Sequence, residues 1–115
     1  TGPVSDLPVN IQTVSWYGAS NAPGIGAPPS KIQTLTIRDN GLSQAVVDGI
    51  LMATYNARMS YTYATPVMAI GGSNAAPSGV YQSVTPPTTG KEAVYDLVND
   101  PTAQGYKKWS ITYTA

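Results

Sequence analysis

The run Ile32-Gln-Thr-Leu35-Thr-Ile37-Arg-Asp-Asn40-Gly-Leu42 limits this chain more than any other part of it. Each of its positions has a mechanical job. Leu35 and Ile37 alternate as strand residues do, so both point to one face. Asn40 stands where the chain leaves the strand, and a side-chain amide there can satisfy backbone groups in the turn. Leu42 brings the chain inward again, and Ser43 is a good N-cap for a helix beginning at Gln44. The run speaks to architecture and not to chemistry.

The spacing downstream predicts a helix from Gln44 to Arg58, with Val46, Val47, Ile50, Leu51, Thr54 and Tyr55 on one face. Asp48 early in this helix and Arg58 near its end suit the helix dipole. Residues 59–66 form a stretched, aromatic link. Met68 and Ile70 make the next inward-facing pair, and Asn74 can do for this strand what Asn40 does for the one before. A second loop covers residues 79–89. Thr89 caps a helix from Gly90 to Asn99 with Ala93, Val94, Leu97 and Val98 as its buried side, and Pro101 stops it. Trp109-Ser-Ile111-Thr-Tyr113 alternates as a last strand. Upstream, residues 1–8 read as an extended arm and Val9–Tyr17 as a strand whose phase shifts near Val14, as a bulge would cause. Residues 18–30, with Pro23, Gly24, Gly26, Pro28 and Pro29, read as a loop.

Strand, strand, helix, strand, helix, strand predicts an α/β fold: a small, mostly parallel sheet of about four strands with two helices on one side. Residues 1–115 are expected to form a single domain, with 1–30 as arm, first strand and loop and 31–115 as the β/α unit. The direction of the first strand is left open by the sequence.

Composition narrows the function. Charged residues are 10% of the chain and balance to zero net charge, far below the ~25% of an average soluble protein. No basic run exists for a nucleic-acid backbone, and Lys107-Lys108 reads as a solvated strand entrance. The chain has no Cys and no His, which removes disulfides, thiolate zinc sites and every His-based acid–base or metal site. A small secreted eukaryotic domain would often carry disulfides, so a bacterial or viral origin is expected. No apolar run reaches the ~18 residues of a membrane span.

The search for catalysis ends without a signature. Gly71-Gly72-Ser73-Asn74-Ala75 misses the last glycine of a nucleophile elbow, and no His can serve as base. Gly90-Lys91 lacks the rest of a phosphate-binding loop, and Gly24-Ile-Gly26 is followed by Pro29 where a dinucleotide motif needs glycine. Glu92 and Asp96 share a helix face, but are expected on its exposed side as solvated charge. Asp39, beside Asn40, is expected to stabilise the turn. No catalytic, cofactor-binding or metal-ligating residue is assigned, and no cofactor is implied.

The motifs Leu35-Thr-Ile37-Arg-Asp-Asn40-Gly-Leu42-Ser43, Val47-Asp48-Gly-Ile50-Leu51, Gly71-Gly-Ser-Asn74-Ala-Ala76-Pro77-Ser78 and Gly105-Tyr106-Lys-Lys-Trp109-Ser-Ile111-Thr follow one another in order. On them, the stretch from Ile32 to Thr114 resembles a terminal unit of leucine-rich-repeat-like proteins of phage and bacterial extracellular sequences. The insertions at 59–66 and 79–89 and the first 30 residues depart from that pattern. The resemblance implies the closing cap of a β/α stack and no enzyme, and it leaves function open.

Together these point to a non-enzymatic structural protein, exposed on a phage virion or a similar extracellular assembly. Capsid decoration and a head or tail fibre component both fit. Its partners would be further copies of itself or other virion or fibre subunits, with no nucleic acid and no membrane. The alternative is a carbohydrate- or receptor-binding module of a surface adhesin, meeting a host glycan or receptor. The candidate binding residues are aromatic: Trp16 and Tyr17 at the end of the first strand, and Tyr61, Tyr63 and Tyr81 in the inserted loops.

Overall fold

The computed structural model describes residues 10–15, 26–84, 86–99 and 107–114. In chain order the elements are β1 (Thr13–Ser15), β2 (Thr34–Thr36), α1 (Gln44–Asn56), a short 3-10 turn (Arg58–Ser60), β3 (Val67–Ala69), α2 (Gly90–Asn99) and β4 (Ser110–Thr112). The strands form one all-parallel sheet in the order β1-β2-β3-β4. The fold class is the one expected from the sequence. The open question of the first strand is answered as well: β1 runs parallel to β2, with Val14 opposite Leu35.

The inner face of the sheet carries Val14, Leu35 and Met68, all buried, with Ile37 and Ile70 just beyond the strand ends. The two helices pack against each other and close over this face, α1 through Val47, Ile50, Leu51 and Tyr55, α2 through Ala93, Val94 and Leu97. Each such fully buried aliphatic side chain contributes about 1.5–3 kcal/mol, so this layer supplies most of the driving force. In the first strand, Ile11 is half-buried against the core while Val14 is buried and Thr13 exposed. The inward phase therefore shifts between them, as expected. At the start of the ladder, the Gln12 carbonyl accepts both the Gln33 N–H at 2.7 Å and the Thr34 N–H at 3.0 Å.

Ser43 caps α1 as its position requires, its Oγ accepting the Val46 N–H at 3.3 Å. The dipole roles expected for Asp48 and Arg58 are corrected. Asp48 lies beyond the first turn of α1, and its Oδ1 accepts the Ser78 N–H at 2.9 Å. The Ser78 carbonyl in turn accepts the Lys91 N–H at 2.9 Å, so Asp48 supports the start of α2. Arg58 lies past the end of α1, over the Tyr55 ring at 4.2 Å, and donates to the Tyr55 carbonyl.

A second correction concerns Glu92 and Asp96. Both are buried, Glu92 at 5% exposure and Asp96 fully enclosed. The loop after β3 reaches the outer side of α2 at Glu92 and Tyr95. Tyr81 from that loop packs edge-on against Tyr95 with ring centroids 4.9 Å apart. Gln82 Nε2 donates to Glu92 at 2.9 Å, and the Glu92 carboxylate also accepts the Thr88 N–H and hydroxyl, each at 2.9 Å. The Thr89 Oγ1 accepts the Glu92 N–H at 3.4 Å, which completes a reciprocal cap of the capping-box kind.

Candidate functional site

Of the five aromatic residues singled out from the sequence, three are described, and Tyr61 stands apart from Tyr63 and Tyr81 in its burial. Trp16 and Tyr17 lie outside the described residues. Tyr61 is a core residue: it is buried, its ring meets Trp109 edge-on at 5.0 Å, and its hydroxyl donates to the Pro28 carbonyl at 3.0 Å. Burial pushes its phenol well above the ordinary range, so it stays protonated and its hydroxyl remains a donor. The expectation that Tyr61 meets a ligand is therefore corrected, because the 59–66 link folds back over the end of the core. Tyr63 and Tyr81 remain exposed, at 42% and 44%. Tyr81 is anchored by Tyr95 and by the Asn99 amide, which donates to its hydroxyl at 2.7 Å.

The outer face of the sheet is a second surface. Successive strands place Thr13, Thr34, Val67 and Ser110 in one row, and Ser15, Thr36, Ala69 and Thr112 in the next. Neighbouring side chains in a row stand about 4.8 Å apart. No charged residue occurs within these four strands. Beyond the second row the ladder continues, with the Asp39 N–H donating to the Gly71 carbonyl at 3.2 Å. This register sets Arg38 beside Gly71.

A cleft of about 250 Å³ opens at this end of the sheet, lined by Arg38, Ala69, Gly71, Gly72, Thr112 and Tyr113. Its frame is tightly held. Arg38 Nε donates to Asp39 Oδ2 at 3.1 Å, and Asp39 Oδ1 accepts the Ser73 N–H at 2.9 Å. The Gly41 N–H donates to Ser73 Oγ, and Thr114 Oγ1 donates to the Gly72 carbonyl, both at 3.2 Å. Gly72 has a φ of +70°, and a Cβ there would run into the Asp39 carboxylate, so this corner is built for glycine. Asp39 does stabilise the turn, as its position suggests. Sequence reasoning picked out Asp39, Gly71 and Gly72 as turn residues but missed the cleft, because its walls come from three strands far apart in the chain.

The donor set of the cleft is a guanidinium, a threonine hydroxyl and backbone groups. Among the described residues, no cluster of three His, Cys, Asp or Glu side chains could hold a metal ion. No helix among them is long and apolar enough to cross a membrane. Compared with protein families, curated proteins and solved structures, the chain matches none.

Proposed function

We propose that this chain is a non-enzymatic structural protein of an extracellular assembly, a phage virion being the best fit, where it would serve as capsid decoration or as a head or tail fibre component. The observation that carries this reading is the character of the two end strands. Among the described residues, β1 and β4 each pair with one neighbour only. They read Thr-Val-Ser and Ser-Ile-Thr, short edges of three residues each that carry no proline and no in-strand charge against a further strand. Because all strands point one way, one edge of the sheet is complementary to the other, and such a head-to-tail contact builds rings or filaments. The low charge and the resemblance to leucine-rich-repeat-like capping units of phage and bacterial surface proteins support the same reading. Light scattering and negative-stain microscopy of the purified chain test it. Oligomers, filaments or decorated particles are expected. A strict monomer that neither coats particles nor forms filaments overturns the proposal.

A second reading, a glycan- or receptor-binding module of a surface adhesin, draws support from the uncharged, hydroxyl-bearing sheet face.

A further inference from the structure

We infer that the cleft between Arg38 and Thr112 binds one ring of an uncharged saccharide. Resting on the glycan-binding reading, this places recognition on the sheet and not on the loop tyrosines.

The chemistry of the lining sets the ligand class. Arg38 is half-exposed, at 51%. Its Nε is committed to Asp39, and its guanidinium stands in the cleft wall with two terminal amino groups able to serve as a planar pair of donors. Thr112 adds a hydroxyl able both to donate and to accept. Adjacent hydroxyls on a sugar ring match this mixture, since each can accept from the guanidinium while donating to a threonine or carbonyl oxygen.

Charge separates a neutral sugar from an anion. The Asp39 carboxylate stands 3.1 Å from the Arg38 Nε, so the pair carries no net charge. An approaching phosphate or carboxylate feels attraction and repulsion from nearly the same place, and the two largely cancel. A neutral polyol forms its hydrogen bonds without that opposition.

Size and stiffness fit a single ring. The volume of about 250 Å³ falls just short of the ~300–1,000 Å³ of sites that enclose a drug-sized ligand. A dinucleotide or flavin is too large, and one pyranose with its neighbours lying outside is the right scale. The bonds from Asp39, Ser73 and Thr114 hold the rim in place before a ligand arrives, which lowers the ordering cost of binding. From the cleft, Thr36, Thr34 and Ser110 carry the hydroxyl surface along the sheet, where further rings of a chain would lie.

The test is a glycan array of neutral, N-acetylated and uronate-bearing oligosaccharides, followed by calorimetric titration of the full chain with the best neutral hit. Arg38→Ala and Ala69→Leu, which removes the donors and fills the floor respectively, should each weaken binding about tenfold or more. Neither side chain belongs to the core, and unchanged thermal midpoints should show that both variants fold. Should Arg38→Ala fail to fold, Arg38→Lys, which keeps the charge and loses the planar fork, replaces it. The double variant Tyr63→Ala/Tyr81→Ala should bind as the parent does. Loss of binding in the tyrosine variant, with the cleft variants unaffected, overturns the cleft and leaves the glycan reading standing. Retention of no glycan overturns both. Preference for uronates that Arg38→Ala abolishes overturns the uncharged ligand.

Discussion

Asn40 and Asn74 donate their side-chain amides to the same acceptor, the Ile37 carbonyl oxygen, at 2.7 and 2.9 Å. Asn74 Nδ2 also donates to the Ile70 carbonyl at 3.1 Å, while its Oδ1 accepts the backbone N–H groups of Asn40 and Leu42 at 3.1 and 3.0 Å. One buried amide thus satisfies two donors and two acceptors where two strands end, and it locks the second turn to the first.

Asn74→Ala should destabilise the chain by about 3–5 kcal/mol, because buried backbone groups are left without partners and each costs about 1–3 kcal/mol. Asn74→Asp should also destabilise, since it replaces the amide donor with an acceptor that faces two carbonyl oxygens. Urea denaturation measures both. A loss under about 1 kcal/mol for Asn74→Ala would show that water replaces the amide without penalty.

Glu92 gives the stability a pH dependence. Hydrogen bonds, led by the Thr88 N–H and the Gln82 amide, hold its carboxyl below the ordinary value of 4.5. A carboxyl lowered on folding contributes stability that is present above its unfolded pKa and is lost as pH falls through the folded value. The urea midpoint should therefore drop as the solution is acidified below 4.5, and Glu92→Gln should flatten that part of the profile. Identical slopes in parent and variant between neutral and strongly acid pH would sink this assignment.

Tyr61 separates packing from hydrogen bonding at the end of the core. Tyr61→Phe keeps the edge-on contact with Trp109 and loses the bond to Pro28, at a cost of about 1–3 kcal/mol for the buried carbonyl left unpaired. Tyr61→Ala also opens a cavity, at about 3–5 kcal/mol. Equal midpoints for the two variants in chemical denaturation would contradict the structural role of the ring.

Much of the architecture is legible in the order of residues alone, because it depends on local periodicity. The period-two pairs Leu35/Ile37 and Met68/Ile70 mark the inward face of neighbouring strands. The spacing of Val47, Ile50, Leu51 and Tyr55 gives α1 its buried side, Ser43 its start, and Thr89 the start of α2. The turn role of Asn74 follows from its likeness in position to Asn40. These features report what a segment buries against its nearest neighbour, and strand and helix repeats encode that directly.

What the tertiary structure alone decided is what covers each segment's other side. Periodicity assigns Glu92 and Asp96 to solvent, yet both are buried, and Gln82 and Thr88 of the preceding loop bond to the Glu92 carboxylate. It leaves Tyr61 in an exposed link, and the chain folds that link back onto Trp109 and Pro28. It offers Asp48 to its own helix, while the neighbouring strand-to-helix connection claims it through Ser78. The cleft beside Arg38 exists only once β2, β3 and β4 lie in register. Loop coverage and cross-strand register join residues distant in the chain, and no local repeat records such contacts, whereas the β/α frame that makes them is written into the spacing of its leucines, isoleucines and asparagines.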